Sequence, residues 1–312
     1  MSVAAGSPVT VLCMLLLSFE ALVSMVINVF IEFVVLRDYY TKRSLTPTQK
    51  ILAALNISSF FFVVVSSFNV FCNIQMPNFS RSSYYNVIFT LLFIYCMCSG
   101  SLLTAVLCFY YFIKVVNVQR GYLGWVKKKI SSIVPWQITL VKLFSFANSL
   151  LGLLLFAPKQ LSSTNNSLIV STSETSEQPY VGYNYNIAKI LSFMTFLPLF
   201  CTALSTLLTV GFLKLHSRKV KNTQISGEAS LALYNSVIYR MMRFLLLYFV
   251  FYLVTLLYYF SAFSPHSPGY YINLMLMFFI TPTQSVLHIL DNQDLRRSWM
   301  RMVGWIIQGC VN

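Results

Sequence analysis

Three ionisable side chains stand inside long apolar runs, where charge is scarce: Glu20, Glu32 and Lys142. Such a charge either pairs to hold helices together or faces a wet cavity, where it binds ligand or carries protons. Glu20 lies near the middle of the first run and Lys142 in the middle part of the fourth, so both readings stay open for them. Glu32, near the end of the first run, reads as a carboxylate reaching toward headgroups. His216 sits in Lys214-Leu215-His216-Ser217-Arg218-Lys219 with no carboxylate or cysteine beside it, which argues against metal or acid-base work. That string suits a basic helix extension that docks a partner or meets anionic lipid. Aromatics and methionines are dense from Phe249 to Tyr259 and from Tyr270 to Phe278, where they either line an adaptable pocket or face lipid. No phosphate-cradling glycine loop, His-Glu-x-x-His string, serine elbow or Cys/His cluster occurs, so the expectation is a non-enzyme without catalytic residues, metal or cofactor.

The elements that must position these residues follow from composition. Of 312 residues, 57% are apolar and only 10% charged, with a mean hydropathy of +0.70. Soluble domains are near half apolar and a quarter charged. The expected class is therefore an all-α polytopic membrane protein. Seven apolar runs can be drawn, at 9–36, 51–72, 84–116, 130–156, 187–213, 234–263 (strongly apolar from 244) and 270–290. Each reaches about the twenty residues that cross a bilayer as helix. They predict one seven-transmembrane domain over 1–312. Pro198 and Pro282 fall inside runs five and seven, where a lost hydrogen bond bends a helix and opens space between neighbours. The seven cysteines fall mostly within the runs, and the long polar loop at 158–186 has none, so small buried thiols are expected instead of disulfides.

A net charge of +14 would suggest nucleic acid in a soluble protein. Here the basic residues gather in alternate loops: Arg37, Lys42, Arg43 and Lys50 after run one, Arg120 and Lys127 to Lys129 after run three, Lys214 to Lys221 after run five, and Arg296, Arg297 and Arg301 after run seven. The other loops offer only Arg81, Lys159 and Lys189. The positive-inside rule then places the N-terminus outside and the C-terminus in the cytoplasm. Asn165 opens an Asn-Asn-Ser sequon in the outer loop and is the expected glycosylation site. From about 292 to 307, Leu295, Trp299, Met302 and Ile306 share one helical face and the arginines the other, as in a helix lying in the interface against anionic lipid.

Local strings narrow the class. Asn28-Val29-Phe30-Ile31, Asp38-Tyr39, Leu45-Thr46-Pro47 and Tyr110-Tyr111-Phe112-Ile113-Lys114-Val115-Val116-Asn117 resemble signatures of the bitter taste receptors, taste receptor type 2. Phe212-Leu213-Lys214-Leu215-His216 and Gln284-Ser285-Val286-Leu287-His288 are similar to that family's fifth and seventh spans. The chain departs from the pattern at Ser59, Phe212, Gln284 and Asp291, where the family usually has arginine, serine, histidine and glycine.

The resemblance implies a plasma-membrane G-protein-coupled receptor that binds small bitter agonists from outside. It maps the pocket onto Phe93, Ile94, Met97, Met194, Leu274 and Met277. It implies a heterotrimeric G protein of the gustducin or inhibitory class as partner, facing Tyr111, Lys114, His216, Lys219 and Arg240. The rival reading is a seven- or eight-span transporter or channel working through Glu20 and Lys142.

Overall fold

The computed structural model describes residues 8–80, 82–115, 121–166, 185–222, 227–260 and 267–311. Among these residues the chain is built from α-helices: α1 (Pro8–Lys42), α2 (Pro47–Gln75), the one-turn α3 (Pro77–Ser80), α4 (Ser83–Val115), α5 (Gly121–Asn166), α6 (Tyr185–Asn222), α7 (Gly227–Tyr259), α8 (Pro268–Asp291) and α9 (Gln293–Val311). Seven of them are long and apolar enough to cross a membrane, and they fall on the seven runs.

The helices outrun the apolar segments that predicted them. α1 continues to Lys42, α5 starts at Gly121 and reaches Asn166, and α7 starts at Gly227. Hydropathy marks where a helix leaves lipid, whereas the backbone ladder stops only where a cap or breaker ends it. The tips of the third run at 116 and of the sixth at 261–263 lie outside the described residues.

Capping makes the α1–α2 corner definite. Arg43 closes α1 with φ +51°, its amide donating to the Tyr39 carbonyl at 2.8 Å. The Thr46 amide donates to Gln49 Oε1 at 2.9 Å while Thr46 Oγ1 accepts from the Gln49 amide at 3.3 Å, a reciprocal box with Pro47 at the first helical position. Gln49 Nε2 then donates to Asp38 Oδ2 at 2.9 Å, tying the start of α2 to the end of α1.

Solvent logic is inverted relative to a water-soluble bundle. Asn28, Ser99, Thr104, Thr202, Thr206 and Thr255 are fully buried, while Phe19, Phe33, Leu140 and Leu154 are exposed. In lipid, apolar side chains gain nothing from hiding and hydroxyls must find partners inside. The Thr202, Thr206 and Thr209 hydroxyls accordingly donate to carbonyls of their own helix at 2.7–2.8 Å, and Thr202 does so to Pro198, where the helix runs through the proline.

The α4 helix, on the third run, packs against α2, α5 and α6, and α1 against α2, α8 and α9. The interhelical core holds Leu17, Phe62, Phe93, Met97, Val254 and Met277. On α9, Leu295 is buried and Trp299 meets Phe30 edge-on at 5.0 Å, while Arg296, Arg297 and Arg301 stay exposed. The apolar face read from the sequence thus docks on α1 and α8. Ile306 and Cys310 have side chains outside the described residues.

Two ends can be named from the contacts. The basic end collects the close of α1, α4 and α8 with the start of α2 and α7, linked by Asp38–Gln49 and Arg240–Asp291. The distal end collects the close of α2 and α7 with the start of α4 and α8.

Candidate functional site

At the distal end, α4 presents an aromatic ladder four residues apart, one helical turn each. Tyr85 stacks on Phe89 at 6.1 Å and Phe89 meets Phe93 at 5.4 Å. Phe93 also touches Phe62 of α2 at 5.7 Å and Tyr258 of α7 at 5.9 Å. Tyr85 Oη donates to Asn69 Oδ1 at 2.9 Å, fixing the top of α4 to α2. Ser267 caps α8, accepting from the Tyr270 amide at 3.2 Å, and so sets where Tyr270, Leu274 and Met277 point.

Between these helices lies a small cavity, lined by Phe89, Phe93, Tyr258, Tyr270, Leu274, Met277 and Phe278, with Ser66, Asn69 and Val70 on the α2 side. Its lining, mostly apolar and aromatic with a few polar groups, has the character of a small-molecule site. The Ser66 hydroxyl is buried there with no hydrogen-bond partner.

The residues expected at a ligand site separate. Phe93, Leu274 and Met277 line this cavity together. Met97 lies one turn deeper, lines a second cavity, and accepts from Tyr259 Oη at 3.8 Å on its sulfur. Ile94 is buried on a neighbouring face of α4 and lines neither cavity. Met194 is on α6, and its side chain lies outside the described residues. Sequence reasoning missed Ser66, Asn69 and Phe89. The spacing Tyr85, Phe89, Phe93, Met97 was the available signal for Phe89.

Midway, a polar chain crosses three helices. Thr104 Oγ1 and Tyr248 Oη are 2.6 Å apart, Tyr248 Oη donates to Gln284 Oε1 at 3.4 Å, and Gln284 Nε2 donates to Thr104 Oγ1 at 3.2 Å. His288 lies a turn below, 3.5 Å from Gln284 Nε2 and stacked on Phe244 at 5.0 Å.

At the basic end, Asp291 closes α8 against two arginines of α7. Arg243 Nη2 donates to Asp291 Oδ1 at 3.2 Å. Arg240 Nε is also 3.2 Å from that oxygen, an ion pair by distance but off-angle for a hydrogen bond. The Arg240 guanidinium covers the Tyr111 ring at 5.9 Å, which brings α4 into the same clamp. Of the expected partner face, Tyr111 and Arg240 are thus turned inward together and Lys114 is exposed. His216 and Lys219 lie on α6 with side chains outside the described residues, as does that of Asn165 on the last turn of α5.

Glu20 and Lys142 do not meet. Lys142 Nζ donates to Ser58 Oγ at 2.5 Å and Ser99 Oγ at 2.8 Å and lies 5.6 Å from the Tyr95 ring centre. It stitches α5 to α2 and α4 through hydroxyls and a ring face, with no ion pair among the described residues. Glu20 Oε2 and Glu32 Oε1 are buried on α1 without a hydrogen-bond partner. Ser58 and Ser99 remain 3.0 Å apart and bonded to each other without the lysine. Replacing a buried charge by an apolar isostere that orphans nothing is often neutral. Lys142→Met should therefore keep surface expression within about twofold of wild type, and Lys142→Glu should lose it, both read by surface-epitope flow cytometry.

Seven membrane-length helices around an aromatic cavity, with a polar chain leading to a charged clamp at the other end, define a seven-helix membrane receptor of the G-protein-coupled class. The family model described as taste receptor protein (TAS2R) matches residues 6–306. Human taste receptor type 2 member 39 is 23% identical over 288 residues, covering 91% of this chain and 83% of that protein. Taste receptor type 2 member 40 of Gallus gallus is 24% identical over 310 residues, 96% of each chain, and member 8 of Pongo pygmaeus is 22% identical over 315 residues, 98% of this chain and 99% of that one. The chain belongs to the taste receptor protein (TAS2R) family, the bitter taste receptors.

Proposed function

We propose that this receptor sits in the plasma membrane with its distal end outside, takes small bitter compounds into the cavity beside Phe93, and passes the signal to a heterotrimeric G protein at its basic end. The single observation that carries this reading is the cavity itself, walled by Phe89, Phe93, Tyr258 and Met277 at the end away from the basic loops. Positive loops face the cytoplasm in membrane proteins, which supports an outer N-terminus and a cytoplasmic C-terminus. The same orientation leaves Asn165 on the glycosylated side. A ligand shifts a conformational equilibrium only through differential affinity, so agonists must bind better when the inner ends of α6 and α7 have swung outward. The partner is of the gustducin or inhibitory class; Lys114, His216 and Lys219 form its face, together with Tyr111 and Arg240 once the Arg240–Asp291 clamp opens.

A calcium assay with a promiscuous G protein, run against a panel of bitter compounds, tests the reading. Agonist responses are expected from the wild type, and silence across a broad panel at normal surface expression would count against it. Lys114 is exposed at the mouth of the basic end. Reversing its charge places a carboxylate where an acidic partner surface must approach, and rim charges act on association and orientation. Lys114→Glu should lower agonist-driven nucleotide exchange at least about tenfold without changing surface receptor number. Normal exchange in that variant would remove Lys114 from the coupling face.

A further inference from the structure

Resting on the reading that the aromatic cavity takes a small molecule, we propose that the bundle holds a second, deeper subsite for the uncharged hydrogen-bonding end of a ligand, an amide, ketone or alcohol.

The deeper cavity, a small one, lies between α2, α4, α7 and α8, the helices that line the first. Its walls step down by the same interval on every helix: from Ser66 to Ser59, Phe93 to Gly100, Tyr258 to Phe251, and Met277 to Gln284. Seven residues of helix descend about 10 Å, two turns. Phe62 and Met97 stand between the levels, in the same core cluster as Phe93 and Met277.

The chemistry of the two levels differs. Ser59, Ser101 and Thr281 are 8%, 6% and 6% exposed, line the deeper cavity, and have no hydrogen-bond partner among the described residues. Several buried hydroxyls elsewhere in the bundle bond back to a helix carbonyl, as Thr202, Thr206 and Thr209 do, whereas those of Ser66 and Thr255 do not. What sets these three apart is that they come from three different helices and line one space. Each can donate and accept, so the space favours an occupant with polar atoms. Tyr248 and Gln284 floor the cavity with further polar groups. No charged side chain lines it. An ammonium or carboxylate would have to shed water there without a counter-ion, which excludes ionic ligand ends in favour of neutral ones.

The geometry also supplies a clean way to close the site. A Cβ added at Gly100 meets nothing within 4 Å, so the side chain of Gly100→Val starts in open space and extends into the cavity. A second variant, Ser59→Ala/Ser101→Ala/Thr281→Val, removes the hydroxyls at nearly constant volume.

The test uses the purified full-length receptor in lipid nanodiscs and four probes: toluene, hexylbenzene, phenylhexylamine and phenylhexanamide. Apparent Kd is read from the rise of Tm with probe concentration. In the wild type the amide should bind about tenfold tighter than hexylbenzene, and the amine more weakly than the amide. The triple variant should erase the amide's advantage, and Gly100→Val should weaken the amide about tenfold while toluene, which needs only the aromatic cavity, binds as before. An amide with no advantage in the wild type, or one whose advantage survives in both variants, overturns the deeper subsite while toluene binding leaves the aromatic cavity standing. A wild type that binds none of the four, toluene included, overturns the ligand reading of the aromatic cavity as well.

Discussion

Asp291→Asn is expected to raise agonist-independent signalling about tenfold, the result of removing about 1.4 kcal/mol from the closed state. The carboxylate closes α8, its side chain is 6% exposed, and it faces Arg240 and Arg243 of α7, each 3.2 Å away. Hydrogen bonds and contacts to a charged group of this kind are worth about 1.5–3 kcal/mol, more than an exposed surface pair. An asparagine keeps the size and loses the attraction, so the start of α7 is freed from α8. The two arginines should not contribute equally. Arg243 is 47% exposed and screened by water, so Arg243→Gln should change basal signalling by less than about threefold. Arg240 is 26% exposed and also covers Tyr111, so its link reaches α4. Basal nucleotide exchange per surface receptor is the measurement. Unchanged or lower basal exchange in Asp291→Asn would mean that the clamp holds the bundle together without opposing activation.

Phe93→Ala should cost agonist potency about ten- to a hundredfold, the largest single loss expected at the distal end. Phe93 is 4% exposed and joins Phe62, Phe89 and Tyr258 across three helices. Truncating a buried phenylalanine removes about 3–5 kcal/mol of packing, part of it felt by the fold and part by any ligand resting on the ring. Phe93→Leu separates the two, since it refills most of the volume without the flat aromatic face. A ligand role predicts that both variants lose potency, with Leu closer to wild type in surface level. If Phe93→Ala lowers only expression and leaves the dose-response midpoint unmoved, the residue is a packing element and agonists bind elsewhere.

The sequence carried some of the site in readable form. Tyr85, Phe89, Phe93 and Met97 repeat every four residues, so one α4 face is legible in the sequence alone. The amphipathic face of α9 could be drawn as well, because Leu295, Trp299 and Met302 repeat at helical spacing. Asp291 could not be read as a clamp. Its acceptor role depends on Arg243, 48 residues away, and nothing in Asp291-Asn292-Gln293-Asp294 points to α7. Lys142 invited a carboxylate partner and instead lies on Ser58 and Ser99, two small polar residues that look ordinary in their own runs. The bare hydroxyls of Ser59, Ser101 and Thr281 were equally silent, since a serine in an apolar run usually satisfies itself on its own helix.

What the sequence determined by itself is what lipid imposes on each segment separately. Length, apolarity and the alternation of basic loops gave seven helices, because a backbone in hydrocarbon must bond within its own segment. Family membership was legible in the same one-dimensional way, through short strings spread along the chain. Tertiary structure alone decided which faces meet. Helices in lipid gain nothing from burying apolar surface, so their rotations are set by small residues, hydroxyl bonds and a few charges whose partners lie on other helices. For that reason the α2 wall of the cavity, the Thr104–Tyr248–Gln284 chain and the Arg240–Asp291 clamp came into view only once the bundle was assembled.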